Sequence, residues 1–89
     1  MEIEIHDTWV EGKRKGMHFD VAVEHKGKGT NNKLAVASAK KYLESIDEKD
    51  AKITSKECSF CHIQGASPKI EKDIEKNGYS IIKMEGCPK

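Results

Sequence analysis

Three cysteines and four histidines hold most of the chemistry this 89-residue chain could perform. Cys58-Ser59-Phe60-Cys61-His62 sets two thiols two residues apart with an imidazole beside the second, and Cys87 lies near the end. Thiols at this spacing can bend around one tetrahedral cation, which is why it recurs in zinc sites. On that reading Cys58, Cys61 and Cys87 would hold zinc, and His62 or His25 would be the fourth ligand, or water would fill an open position. A second reading makes Cys58 and Cys61 an exchanging redox pair, which needs a helix N-terminus or a cation to stabilise the thiolate. Six residues separate Cys61 from Pro68, so no helix begins at the motif. A third reading leaves the cysteines as small reduced core side chains, a common fate of free Cys. The motif also fits the attachment pattern of c-type haem, but that chemistry needs export and a different, helical setting.

A second set belongs to two alternating stretches near the N-terminus. In residues 2–10, Ile3, Ile5, Asp7 and Trp9 share one face and Glu2, Glu4, His6 and Thr8 the other. From residue 17 on, Met17, Phe19, Val21 and Val23 oppose His18, Asp20, Ala22 and Glu24. The two runs read as a hairpin across the turn Glu11–Gly16. A register pairing Thr8 with Asp20 or His18 would gather His6, Thr8, His18 and Asp20 on a polar face. Two imidazoles and a carboxylate can bind a metal or move a proton. The plainer reading is a solvated face, or one that meets a protein partner or a second copy of the chain. Asp7 is the odd residue, because a carboxylate on the apolar face needs partners.

Charge excludes more than it suggests. Sixteen basic and 15 acidic residues leave a net charge of +1, whereas nucleic-acid binding draws on a basic excess. Lys13, Arg14 and Lys15 cluster at the hairpin tip, and Lys26, Lys28 and Lys33 lie at its other end. At about 3.3 Å per residue these clusters are roughly 30 Å apart and form no single stripe. Gly27-Lys28-Gly29-Thr30 precedes a helix and favours anions, but it lacks the order of a P-loop. The N-terminal Met1-Glu2-Ile3-Glu4-Ile5 has acids where a secretory signal would have basic residues, and no apolar run could cross a bilayer. A cytosolic protein with reduced thiols is therefore expected, and an odd number of cysteines agrees.

The elements that must position these groups follow from period and punctuation. Thr30, Asn31 or Asn32 caps a helix over 31–46 whose stripe is Ala35, Ala39, Tyr42, Leu43 and Ile46. A short third strand is expected over 51–56 with Ile53 inward, and Cys58–Gly65 reads as a loop for want of any period. Ser67 caps a second helix with Pro68 at its first position, Asn77-Gly78 stops it, and Tyr79–Met84 is the last strand.

Met17-His18-Phe19-Asp20-Val21, Glu57-Cys58-Ser59-Phe60-Cys61-His62 and the run from Gly78 to Cys87, together with Asp7-Thr8, resemble a small family of bacterial domains of unknown function, known through structural genomics. The resemblance spans nearly the whole chain. It implies a compact α+β domain and carries over no catalytic residue. The expected fold is a single α+β domain, a two-layer sandwich of order β-β-α-β-α-β, with a four-stranded mixed sheet and both helices on one face. Strands entering after right-handed crossovers would end on one rim and bring His25, Cys58 and Cys87 together. The expected function is a small non-enzymatic binding or accessory domain holding zinc through its thiols. The rivals are a thiol redox protein and a metal-free partner-binding module.

Overall fold

The computed structural model describes residues 1–11, 16–27 and 29–87. Strand β1 (Glu2–Glu11) and strand β2 (Gly16–Glu24) pair antiparallel from Ile3↔Glu24 to Glu11↔Gly16. Helix α1 (Asn32–Ser45) starts where the Asn31 side chain accepts the Leu34 N–H at 3.1 Å. Strand β3 (Cys58–Gly65) follows, then helix α2 (Pro68–Asn77) and strand β4 (Ser80–Glu85). Ser67 caps α2 with its hydroxyl on the Ile70 N–H, and Gly78 closes it in the left-handed conformation at φ 87°. The order β-β-α-β-α-β and the α+β class are those expected from the sequence.

The sheet runs β3-β1-β2-β4. All three pairings are antiparallel, so the sheet is not mixed. The difference arises after α1. The expected strand at 51–56 is absent, and the backbone between the helix and residue 58 closes turns instead, with Glu48 N–H on the Leu43 carbonyl and Cys58 N–H on that of Thr54. Ile53 is buried as expected, but from a loop. The chain reverses before it extends, and β3 enters antiparallel on the outer side of β1. Only Cys58 of its eight residues is buried. An edge strand without a buried face shows no alternation, which is why this stretch resembled a loop.

The helices lie on opposite faces, making three layers rather than two. Even-numbered residues of β1 pair with odd-numbered residues of β2, so Ile3 and Ile5 face away from Phe19, Val21 and Val23. Each apolar stripe then needs its own cover. Ala35, Ala39, Tyr42 and Leu43 of α1 close over Val10, Met17, Phe19, Val21, Val23 and Cys58. Phe19 is fully buried and meets Tyr42 edge to face with centroids 5.0 Å apart. Ile74 of α2 covers Ile3, Ile5 and Ala22, with Ile70, Ile82 and Ala66 around it. Each large side chain so buried contributes about 1.5–3 kcal/mol. Among the described residues, no helix is long and apolar enough to cross a membrane. Of the basic clusters, Lys13, Arg14, Lys15 and Lys28 fall outside the described residues.

Past β4, Gly86 sits at φ 72°, and a Cβ there would collide with the Gly16 carbonyl oxygen at the start of β2. Gly78 has a similar φ but open space around it. Gly86→Ala should therefore lower stability by roughly 2–3 kcal/mol, since strain and steric overlap combine. Gly78→Ala should cost about 1 kcal/mol, the left-handed penalty alone. Urea unfolding of both variants checks the ranking, and equal losses would show that the close approach at Gly16 carries no weight.

Candidate functional site

The hairpin register puts Asp7 directly opposite Asp20 and Trp9 opposite His18, all on the face of Ile3 and Ile5. His18 Nε2 lies 2.5 Å from Asp7 Oδ1, and Trp9 Nε1 donates to Asp7 Oδ2 at 3.1 Å. The Trp9 ring stacks on the His18 imidazole at 3.8 Å and 12°. Asp7, His18 and Asp20 each offer a ligand atom within 4.8 Å of the other two, and they form the one such group of His, Cys, Asp and Glu among the described residues. The Asp7 side chain is 38% exposed and that of His18 17%, so the cluster opens to solvent where α2 no longer covers the sheet.

Electrostatics divide the two carboxyls. Burial pushes the Asp20 carboxyl up and the adjoining Asp7 pushes it further, while His18 and His62 pull it back. Burial also opposes ionisation of Asp7, but hydrogen bonds from His18, Asp20 and Trp9 outweigh it and hold that carboxyl down. Two carboxylates this close resist ionising together, and the two shifts run in opposite directions. A bound cation would ease that opposition.

A second polar cluster lies under α1. Glu4 is 2% exposed and His6 is fully buried. Glu4 Oε1 accepts the Asn31 N–H at 2.8 Å and meets His6 Nε2 at 3.0 Å, and its Oε2 meets His25 Nδ1 at 3.0 Å. The Asn32 side-chain amide, a donor, lies 3.3 Å from His6 Nδ1, which leaves the His6 proton on Nε2, facing Glu4. The same amide donates to the Cys58 carbonyl at 2.8 Å. One carboxylate thus ties β1 to the end of β2 and to the start of α1. A cavity of about 410 Å³ opens beside it, lined by Lys26, Asn31, Leu34 and Ile74 among others. The sequence marks His6 as a candidate ligand beside His18 and Asp20, and Glu4 only as a polar member of an alternating strand.

The residues proposed from sequence separate. His6 leaves the set of His18 and Asp20, because pairs such as Thr8↔Phe19 and Trp9↔His18 place it on the other face. The expected register was off by one residue, which exchanges the two faces of a strand. Asp7, whose need for partners was visible, takes its place. The thiols are not gathered on one rim. Cys58 and Cys61 belong to β3 at one edge of the sheet, and Cys87 follows β4 at the other. Cys58 is fully buried beneath α1, and that burial, with Asp7 adding, pushes its thiol up against the Thr8 hydrogen bond. Cys87 packs near Tyr42 and directs its thiol to the His18 carbonyl at 3.6 Å. Cys61 is exposed in an irregular stretch of β3, with its sulfur 3.3 Å from His62 Nδ1, and His62 Nε2 lies 2.6 Å from Gln64 Oε1. Gln64 had drawn no notice in the sequence, since an amide on a loop carries no signal.

The Glu4 cluster makes stability pH-dependent. Burial opposes ionisation of Glu4, but hydrogen bonds from His25, Asn31 and His6 outweigh it and hold the carboxyl below its ordinary value of 4.5. A carboxyl depressed in the folded state stabilises the fold above its unfolded pKa and loses that contribution as pH falls through the folded value. Urea midpoints should therefore fall as the pH drops below 4.5, and Glu4→Gln should be less stable at pH 7 with a shallower acid dependence. An unchanged acid slope in Glu4→Gln would remove Glu4 from this role.

No curated protein matches. The NMR structure of protein NE1680 from Nitrosomonas europaea, a structural genomics target, is similar with a TM-score of 0.84 at 43% identity, covering 99% of this chain and 100% of that one. The family model described as a domain of unknown function, DUF2024, matches residues 1–84, and the chain belongs to that family.

Proposed function

We propose that this chain is a small divalent-cation-binding domain whose ligands are Asp7, His18 and Asp20. One observation carries the reading: three ligand-bearing side chains from the two strands of one hairpin converge within 4.8 Å, and two of them are carboxyls that adjoin each other. Two carboxylate oxygens and one imidazole nitrogen suit zinc, manganese or ferrous iron rather than a soft, thiolate-seeking ion. Three protein ligands leave further coordination positions to water or a bound molecule. Trp9 holds His18 by stacking and so fixes the angle of the imidazole before any cation arrives. Zinc thus remains a candidate, but with carboxylate and imidazole ligands in place of Cys58, Cys61, Cys87 and His62. Three free thiols suit a reducing compartment such as the cytosol.

Because the chain has one tryptophan and it touches a ligand, its emission reports on the site directly. Tag-free protein titrated with zinc or manganese should change Trp9 emission with 1:1 stoichiometry by native mass spectrometry. Asp20→Asn and His18→Ala should each weaken binding by on the order of tenfold or more, the loss usual when a metal site loses a contributing group. Asp20→Asn has a second signature in the metal-free protein. A carboxyl raised in the folded state gives stability that is present at low pH and lost as pH rises through the folded value, so the neutral amide should raise the melting temperature at pH 7. Cys61→Ser should bind as the wild type does. No binding of either ion below about 1 mM, a contact worth about 4 kcal/mol, would overturn the reading. So would loss of binding in Cys61→Ser with Asp20→Asn unaffected.

A further inference from the structure

The exposed end of β3 holds an arrangement that the cation site does not use. Between Ile5↔His62 and His6↔Phe60 the register of β3 against β1 shifts, and Cys61 is the extra residue. In a regular strand, neighbours such as Cys61 and His62 would point to opposite faces. A bulge re-aims a side chain, and here the Cys61 sulfur comes within 3.3 Å of His62 Nδ1. The far side of the ring is held as well. Gln64 Oε1 can only accept, so His62 Nε2, 2.6 Å away, carries the proton. Nδ1 is then unprotonated and takes its hydrogen bond from the thiol. A nucleophile, a base and a group that orients the base stand in sequence, the pattern by which proteins activate weak nucleophiles.

We propose that Cys61 is a base-activated thiol that forms a mixed disulfide with low-molecular-weight disulfides, with His62 as its base and Gln64 as the positioning residue. The thiolate is the attacking species. His62 Nδ1 takes the Cys61 proton, and the sulfur attacks one sulfur of the small disulfide. Its S–S bond breaks as the Cys61 S–S bond forms, and the departing thiolate recovers the proton from Nδ1. One disulfide and one thiol enter, and one mixed disulfide and one small thiol leave, so no further oxidant is needed. Cys58 is buried under α1 and takes no part, which makes this a single-thiol site rather than an exchanging Cys58–Cys61 pair.

The test uses the full chain and glutathione disulfide at pH 7 with a chelator present, so that its outcome is independent of cation binding. Modification at each cysteine is followed by peptide mass mapping. Cys61 should react on the order of tenfold faster than the same cysteine in the chain unfolded by guanidinium, the kind of gain a positioned base gives. His62→Ala should remove that gain, and Gln64→Leu should remove most of it, while Gln64→Glu, which keeps the acceptor oxygen, should retain it. All three positions are exposed, and far-UV circular dichroism verifies that each variant is folded. Folded and unfolded chains reacting alike, or a folded His62→Ala as fast as the wild type, would overturn the assignment.

Discussion

The hairpin register governs this structure. Glu11 pairs with Gly16, and every pair that follows joins an odd residue of one strand to an even residue of the other. That parity turns Ile3 and Ile5 away from Phe19 and Val21, so one sheet carries an apolar stripe on each face. Two helices on opposite sides follow from it, since neither stripe can stay in water cheaply. The same parity buries Glu4, His6 and Thr8 below α1 and leaves Asp7, Trp9, His18 and Asp20 together on the other face. A slip of one residue would exchange all of these surroundings at once.

The two polar clusters of β1 show how burial separates structural from open groups. Glu4 has its carboxylate oxygens taken by two imidazoles and a backbone amide, and nothing is left over for a ligand. Such a satisfied network rigidifies a core, while a half-satisfied one would cost it. Asp7 and Asp20 lie in the opposite condition. Asp7 is held down by its partners while burial and Asp7 together push Asp20 up, and the cluster reaches solvent. Carboxyls shifted in opposite directions at an accessible place mark a candidate binding site.

What the chain displayed in advance was whatever depends on near neighbours. Asn31, Ser67, Pro68 and Gly78 act on backbone groups within one helical turn, and each marks the boundary expected of it. The alternation of β1 and β2 likewise showed both strands. What stayed hidden depends on pairing across the fold. The parity of the hairpin turns on a single residue of loop, and neither Asp7 nor His6 reveals which partner strand residue it will face. β3 was hidden for another reason, because a strand with seven exposed residues carries no hydrophobic rhythm. The helix stripes showed that each helix had an apolar side but not which side of the sheet it would meet.

Strand position also sorts the two candidate sites by mobility. β1 is flanked on both sides, by β3 and β2, so its backbone amides are bonded within the sheet interior and should open only with the whole fold. β3 has a neighbour on one side alone, and its pairing is already broken at the bulge. Asp7 therefore stands on an interior strand held from both sides, suited to holding an ion at a fixed angle. Cys61 lies at the bulge of an edge strand, where local opening is expected first, as suits a sulfur that must admit a visitor of variable shape and let it go.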